Sequence, residues 1–527
     1  MFDVMIKGGT IIDGTGNVGF KGDVAIEGDR LKVLVGDTSS VKATNIINAS
    51  GCVVVPGFID VHAHSDLMAI SEPLNEPKIR QGISTEMTGL DGIGYAPLSK
   101  KNLDMMLRYW SGVAGYPKLD YNWSSVSQYL QQFHHKSSQN VAYLIPNGCL
   151  RVETIGWESR PATKEDIRAM QDMIRQGMAE GAVGLSTGLG YPPSVYASKE
   201  ELIELCQTVA ECGGIHVTHV RYDLGDCAFD PFREAVEIGA RSGCPVHISH
   251  YFANIALRRQ TAKMLQLVDE ARASGVDLTF DAYPYEAGST TMHVVVPIWA
   301  HSGGPYELLK RLKNKDDRDK MRGQSTKIVG TVEGMVISAV KTEKNKWCEG
   351  LTVEVVADKL KKDPWDAMCD LMIEESLEVA FYCFTGDMND VKVIMTHPAH
   401  MFATDGLRIG GMPNPRTYGT YPKVLGQLVR DEKILSMEQA IRKMTSFPAQ
   451  RFGLANRGIL RDGMKADVVV FNPVTVSGTA TFANPKQFPL GIEYVLVNGK
   501  MVIEKKKHTG TLPGEPLTMR GYAKGMI

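Results

Sequence analysis

The stretch Gly57–Asp66, GFIDVHAHSD, constrains this chain more than any other. An apolar run, Cys52 to Val55 with Phe58, leads into Asp60, and His62 and His64 follow two residues apart. In extended backbone, positions i and i+2 project to the same side. Both imidazoles therefore leave one side of a buried strand's end, where they are placed to grip a divalent ion. A lone pair of this kind could equally be two satisfied core histidines. The remaining sequence decides between the two.

The middle of the chain alternates strand and helix. Strand-like runs occur at VVVPGFID, ISTEMTG (83–89), NVAYLIP (140–146), AVGLST (182–187), IHVTHV (215–220), PVHISH (245–250), VDLTFDA (276–282) and HMFATDG (400–406). Between several of them lie amphipathic stretches that stop at glycine, such as KEDIRAMQDMIRQGMAEG and KEELIELCQTVAECGG. Eight such units predict an α/β fold, a closed (β/α)8 TIM barrel over residues 54–457. An open doubly wound sheet is the alternative, but no Gly-x-Gly-x-x-Gly turn follows any strand. Residues 1–53 and 458–527 read instead as short strands broken by Gly, Asp and Asn, which predicts a small β-sandwich built from both termini. The gap of about 284–399 between the seventh and eighth strands is too long for a bare loop. It should carry a small subdomain that walls or covers the barrel mouth.

Bulk properties narrow the class. Over 527 residues the net charge is −2 and 43% of residues are hydrophobic, an ordinary globular balance that gives no support for nucleic-acid or membrane partners. The opening MFDVMIKGGT has no basic segment followed by an apolar one, and no apolar run approaches a membrane span. Nine scattered cysteines without a Cys-x-x-Cys pair read as buried thiols in a reducing compartment, so the expectation is a cytoplasmic protein. The partner expected is a small-molecule amide, and a homo-oligomer is left open.

Barrel catalysts draw their active residues from the C-terminal ends of several strands. Candidates stand there in this sequence: His62 and His64 after the first, Asp91 after the second in TGLDGIG, and Asp405 at the end of the eighth in ATDG. The fifth and sixth strands carry His216/His219 and His247/His250. A spacing of three puts the members of each pair on opposite faces, and the strand-end members, His219 and His250, are the better placed. His397 and His400 read as structural, and His134/His135 as a solvated surface. Such a set would hold one or two divalent ions that acidify water and polarise a carbonyl. Asp405 would take the water's proton and return it to the leaving nitrogen, hydrolysing an amide C–N bond.

These residues resemble the amidohydrolase superfamily, and longer stretches resemble the N-acyl-D-amino-acid deacylases. The matching stretches are PGFIDVHAHSD, GAVGLSTGLGYPPSVYASKEEL, FDAYPYEAGSTT, NPRTYGTYPKVLG, KMTSFPAQRFGL and RGILRDGMKADVVVFNP, with HTGTLPG near the end. The resemblance implies zinc, with His62, His64 and Asp405 around one position and His219 and His250 around a tighter one. It places Arg416, Tyr283 and Ser289 near the substrate, and the insertion beside the acyl-side pocket. Four positions depart from the family pattern. Asp91 stands where the family has a metal-bridging cysteine, which opens the site to Mn2+ or Co2+. Phe252 replaces a lysine that helps bind the substrate carboxylate. Asn147 and Asn414 replace histidines. The expected activity is deacylation of an N-acyl-D-amino acid or a related, more apolar or aromatic amide. A cyclic amide or imide hydrolase is the alternative, favoured by Phe252 and Asp91. A catalytically silent scaffold is disfavoured by the retained ligand set.

Overall fold

The computed structural model describes residues 1–322, 324 and 334–519. Eight parallel strands follow one another in sequence order: Phe58–Asp60, Ile83–Thr88, Asn140–Pro146, Gly184–Gly188, Ile215–His219, Val246–Ile248, Leu278–Ala282 and His400–Phe402. The first and last are joined by a parallel bridge between Ala63 and Gly406 and by the Asp405 N–H donating to the His62 carbonyl at 2.8 Å. The barrel expected from the strand–helix alternation is what the protein forms.

The helices outside it start and stop where the sequence supplies caps. Thr163 and Asp166 form a reciprocal capping box at Lys164–Ala179, and the Ser198 hydroxyl accepts from the Glu201 N–H ahead of Lys199–Glu211. Asp230–Ser242 ends at Gly243 in the left-handed region, φ 70°. Inside the barrel, Ile59, Val61, Met87, Leu144, Val217 and Met401 pack together and onto Ala449 in the helix Ser446–Arg451 and Phe452 just after it. Full burial of each large side chain of this set contributes about 1.5–3 kcal/mol.

The terminal strands pair with each other across the whole sequence. Val53–Pro56 runs parallel to Thr10 and Ile11 on one side and antiparallel to Val468–Phe471 on the other. Alternation gives these two strands two apolar faces. Val54, Val468 and Val470 enter a core with Val4, Ile6 and Val24, while Val53, Val55, Val469 and Phe471 enter the core shared with the barrel helices. The two halves of this β-domain are one hydrogen-bonded path. The long strand Phe2–Ile11 pairs with Ala43–Asn48 through its first half and with Val53–Pro56 through its second. The C-terminal end leaves this domain: Pro516–Leu517 lies parallel to Val141 and Ala142 on the third barrel strand.

The insertion carries an antiparallel sheet in which Val379–Phe384 lies between Ala287–Thr291 and Val336–Val340. Helices Pro305–Lys313, Val353–Leu360 and Pro364–Glu374 accompany it. The central strand has two uses. Phe381 and Cys383 line the cavity at the barrel mouth, whereas Tyr382 and Phe384 pack on Phe482 from the terminal domain, with ring centres 5.2 and 4.7 Å away. The helix Met388–Thr396, inside the span assigned from sequence to the subdomain, packs instead on the barrel helix Thr261–Ala273 and the eighth strand. None of the nine cysteines, all among the described residues, is joined in a disulfide. Seven are buried, but Cys52 and Cys227 are partly exposed, Cys227 because it stands on a loop bordering the cavity. Among the described residues no helix is long and apolar enough to cross a membrane.

Candidate metal centre

The first and eighth strands are stitched together beneath the site. Asp60 accepts from the buried Lys78 ammonium at 2.9 Å and from the Thr404 N–H at 2.9 Å, and Lys78 also reaches Glu86 at 3.1 Å. This fixes the backbone on either side of His62 and Asp405. The loop carrying Asp91 is held from the neighbouring strand. The Gly92 N–H donates to the Ser186 hydroxyl at 3.1 Å, and the same hydroxyl donates to the Gly89 carbonyl. A side chain at Gly188 would run into the Asp91 carbonyl, its Cβ only 1.9 Å away, so glycine there is what lets the loop approach. Asp91, His250 and Asp405 all have positive φ, at 54°, 33° and 45°. Outside glycine such conformations cost of order 1–3 kcal/mol each and cluster at functional sites.

The side chains converge on Asp91. Its Oδ2 lies 3.3 Å from His62 Nε2, 3.6 Å from His64 Nε2, 3.5 Å from His250 Nε2 and 3.8 Å from His219 Nδ1. Asp405 Oδ1 lies 3.4 Å from His64 Nε2 and 3.7 Å from His62 Nε2, and its Oδ2 lies 3.0 Å from Arg416 Nη1. Three sets of ligand atoms are close enough to share an ion: His62 with His64 and Asp91, Asp91 with His219 and His250, and His62 with His250 and Asp405. Asp91, His62 and His250 each belong to two of these sets.

The chemistry of these donors fits a divalent ion. Of the converging atoms, His62 Nε2 is buried without a hydrogen-bond partner, as is Oδ1 of the Asp91 carboxylate. Buried polar atoms are ordinarily paired. His219 Nδ1 and His250 Nε2 face each other at 2.9 Å, two imidazole nitrogens aimed at one point. Burial pushes His219 down to about 3, with His250 beside it adding to the effect, which leaves its lone pair free for an ion. Burial would raise Asp405, but the Arg416 guanidinium and then His62 hold its carboxyl at about 2, so it is ionised and able to accept a proton.

Around this centre the structure places residues that sequence patterns did not reveal. Asp281 Oδ2 lies 3.5 Å from His62 Nδ1, and its Oδ1 accepts the His250 N–H at 2.8 Å. Tyr222 Oη stands 3.3 Å from His250 Nδ1, the nitrogen that faces away from Asp91. Outer partners of this kind fix the tautomer and ring orientation of a ligand. Asp281 lies two residues before Tyr283 in FDAYPY, on the inward side of its strand, and only strand parity could have pointed to it. Of the remaining histidines, His216 bonds Thr187 Oγ1 at 2.9 Å, and neither His397 nor His400 joins a ligand set.

Beside the centre opens a cavity of about 330 Å3 whose walls include His219, His250, Asp405, Phe252, Tyr283 and Ser289. Arg416 does not line it. The guanidinium is fully buried behind Asp405, 4.3 Å from the centre of the Tyr283 ring, and also donates to the Ser289 carbonyl at 3.2 Å. Asn147 is fully buried at the start of Asn147–Thr154, away from the cavity wall, and neither of its side-chain polar atoms has a partner. The Asn414 amide donates to the Ala287 carbonyl at 2.8 Å, tying the eighth-strand loop to the insertion.

The chain is similar to known proteins in sequence and in fold. The amidohydrolase family model matches residues 45–503. D-aminoacylase of Alcaligenes xylosoxydans xylosoxydans is 34% identical over 98% of this chain and 97% of its own length. A solved D-aminoacylase, whose binuclear metal centre has been described in terms of one-metal activation and second-metal attenuation, superposes with a TM-score of 0.83 at 34% identity, covering 98% of this chain and all of its own. N-acyl-D-glutamate deacylase from Bordetella bronchiseptica, complexed with zinc and a phosphonate mimic of the tetrahedral intermediate, gives a TM-score of 0.83 at 30% identity over 98% of this chain and 99% of its own.

Proposed function

The chain belongs to the amidohydrolase family, and on that premise we propose that it hydrolyses the amide C–N bond of an N-acyl-D-amino acid or a related amide, with zinc held by His62, His64, Asp91, His219, His250 and Asp405. The observation that carries the reading is Asp405. Its carboxylate borders the cavity, stands 3.4 Å from His64 Nε2 and is steadied from behind by Arg416 at 3.0 Å. A divalent ion supplies Lewis acidity there, acidifying water and polarising an amide carbonyl.

The protein's own groups do the rest. Asp405 accepts a proton from the attacking water and delivers it to the leaving nitrogen as the C–N bond breaks. Arg416 keeps the acceptor oxygen turned toward the site and keeps the carboxyl ionised. Asp281 holds the His250 backbone and borders His62, and Tyr222 borders His250, so the imidazoles stay oriented without substrate. The insertion walls one side of the cavity with Ser289, Thr290, Phe381 and Cys383, which excludes water from the bond to be broken. Nine cysteines without a disulfide suit a reducing, cytoplasmic setting.

The test is a hydrolysis panel of N-acyl-D- and N-acyl-L-amino acids, simple aryl amides and cyclic imides, run on metal-stripped protein and after adding back zinc, manganese or cobalt. Metal-dependent release of amine from acyclic amides, either D-configured or aryl, is expected. Turnover of the cyclic imides alone, or of nothing in the metal-loaded protein, would overturn it.

A further inference from the structure

The cavity beside the metal centre has a charge character that bears on what it can hold. Among the described residues no lysine or arginine lines it. Apart from the ligand groups, its largest walls are Tyr191, Tyr222, Phe252, Tyr283 and Phe381, and its hydrogen-bonding groups are neutral, the three tyrosine hydroxyls with Asn254, Ser289, Thr290 and Thr385. Its volume, about 330 Å3, is that of a small-molecule pocket.

The cations nearby are committed elsewhere. Arg416 pairs Nη1 with Asp405 and donates from Nη2 to the Ser289 carbonyl, its face lies on Tyr283, and its fully buried Nε and Nη1 make no hydrogen bond. Arg258 is exposed and turns its Nη2 to the Thr385 carbonyl at 3.2 Å, outside the wall. The Lys423 ammonium lies 3.9 Å from the centre of the Tyr285 ring, also outside it. The narrow cleft continuous with the cavity, which shares His250, Phe252, Tyr283, Gly288 and Thr385 with it, is lined by three acids, Glu286, Asp387 and Asp390. Asp387 accepts from the Asn389 N–H and Asp390 from the Arg259 N–H, backbone partners that leave the carboxylate charges unneutralised. The rim is apolar as well. Ile255, on the cavity wall, is 56% exposed.

A substrate carboxylate entering this cavity would lose its water, meet no lysine or arginine on the wall and face a neighbouring wall of acids. Desolvating an incompletely paired carboxylate is costly. A large apolar group meets complementary surface from mouth to rim.

We propose that the cavity selects a large apolar substituent without a free carboxylate, so that the substrates of choice are uncharged N-acyl amines or carboxyl-blocked N-acyl amino acids rather than the free acids. This rests on the hydrolytic reading of the same site and narrows it. Hydrolysis then adds water across the C–N bond, giving the acyl group's acid and an amine, with the proton passing through Asp405.

The experiment compares N-acetyl-D-phenylalanine, its methyl ester and N-acetyl-2-phenylethylamine on the zinc-loaded protein. At least one of the two uncharged compounds is expected to exceed the free acid about tenfold in kcat/KM. Phe252→Lys, which puts a cation in the wall, is expected to shift the acid-to-ester ratio about tenfold toward the acid, mainly through KM. A free acid turned over tenfold faster than both uncharged compounds, or a ratio untouched by Phe252→Lys, overturns the inference. If none of the three is hydrolysed, their binding to the same protein by calorimetry separates the two readings. Tighter binding of the uncharged compounds keeps the cavity assignment while the hydrolytic reading falls, and tighter binding of the acid removes the cavity assignment itself.

Discussion

The His247 imidazole and the Asp281 carboxylate meet in full burial, Nε2 to Oδ2 at 3.0 Å, and the same carboxylate oxygen lies 3.5 Å from His62 Nδ1. His247 therefore acts on the candidate metal centre from beneath, through Asp281, and it joins no ligand set itself. Its other nitrogen bonds the Thr279 hydroxyl at 2.8 Å.

That relationship sorts the four paired histidines. His219→Ala and His250→Ala should each lower bound metal, because each deletes a donor. His216→Ala, whose lost partner is Thr187, should leave metal content unchanged. His247→Ala should keep the stoichiometry and weaken affinity by about 10–100-fold, the range seen when an outer partner of a ligand is removed. Elemental analysis after dialysis and metal titration give both quantities. Equal metal loss from both members of a pair would show that the pairs are misassigned.

How legible these residues were follows from their backbone. His62 and His64 are visible as an i, i+2 pair at a buried strand's end. His216 and His219 separate by strand alternation, since the fifth strand runs unbroken from Ile215 to His219. The same rule gives the wrong reason for the sixth strand. That strand ends at Ile248, and His250 reaches the mouth through a left-handed residue, φ 33°, while His247 stays on the inward side. Asp281 carried only its strand parity and Tyr222 no spacing signal, because their roles come from neighbours on other strands. The barrel was legible because eight strand–helix units repeat a local pattern. The return of Pro516–Leu517 to the third strand was not, since that pairing spans hundreds of residues and rests on two of them.

Asp91 should set metal preference. A carboxylate is a harder ligand than a thiolate, and this one faces all four histidines within 3.8 Å. Asp91→Ala is expected to lose metal, and Asp91→Cys to retain it with a shift from manganese toward zinc. Equilibration with equal concentrations of zinc, cobalt and manganese, followed by elemental analysis, reads the shift. Unchanged stoichiometry and affinity in Asp91→Ala would remove Asp91 from the centre.

Asp405→Asn should fold normally and lose about 10²–10⁴-fold in kcat, the usual contribution of a general acid–base group. The amide keeps the shape and can still face Arg416, but it cannot take a proton. Circular dichroism checks the fold and steady-state kinetics the loss. Retention of more than about a tenth of wild-type turnover would exclude Asp405 from proton transfer.

Lys443 should make stability pH-dependent far from the site. The side chain is 5% exposed and its ammonium donates to the carbonyls of Met395 at 3.1 Å, His397, and His400 at 3.3 Å, closing the end of Met388–Thr396 onto the eighth strand. Burial pushes it down from 10.5 to about 7, and Arg442 next to it adds to the fall. The unfolded protein keeps its proton to a pH of about 10.4, so between about 7 and 10 the unfolded state binds more protons, and stability rises with pH. Below about 7 the cost of burying the charge is present in full. Replacing the group by Lys443→Met removes this titration and leaves three carbonyls without their donor, at a cost of about 1–3 kcal/mol for each buried group left unpaired. Wild type should therefore be the more stable at pH 9, and its advantage should shrink by more than about 1 kcal/mol on lowering the pH to 6, given about 1.4 kcal/mol per unit of differential titration. Thermal unfolding midpoints of the two proteins across that range measure the difference. An advantage that stays flat would mean that the three carbonyls hold the ammonium charged in the folded state as firmly as water does in the unfolded one.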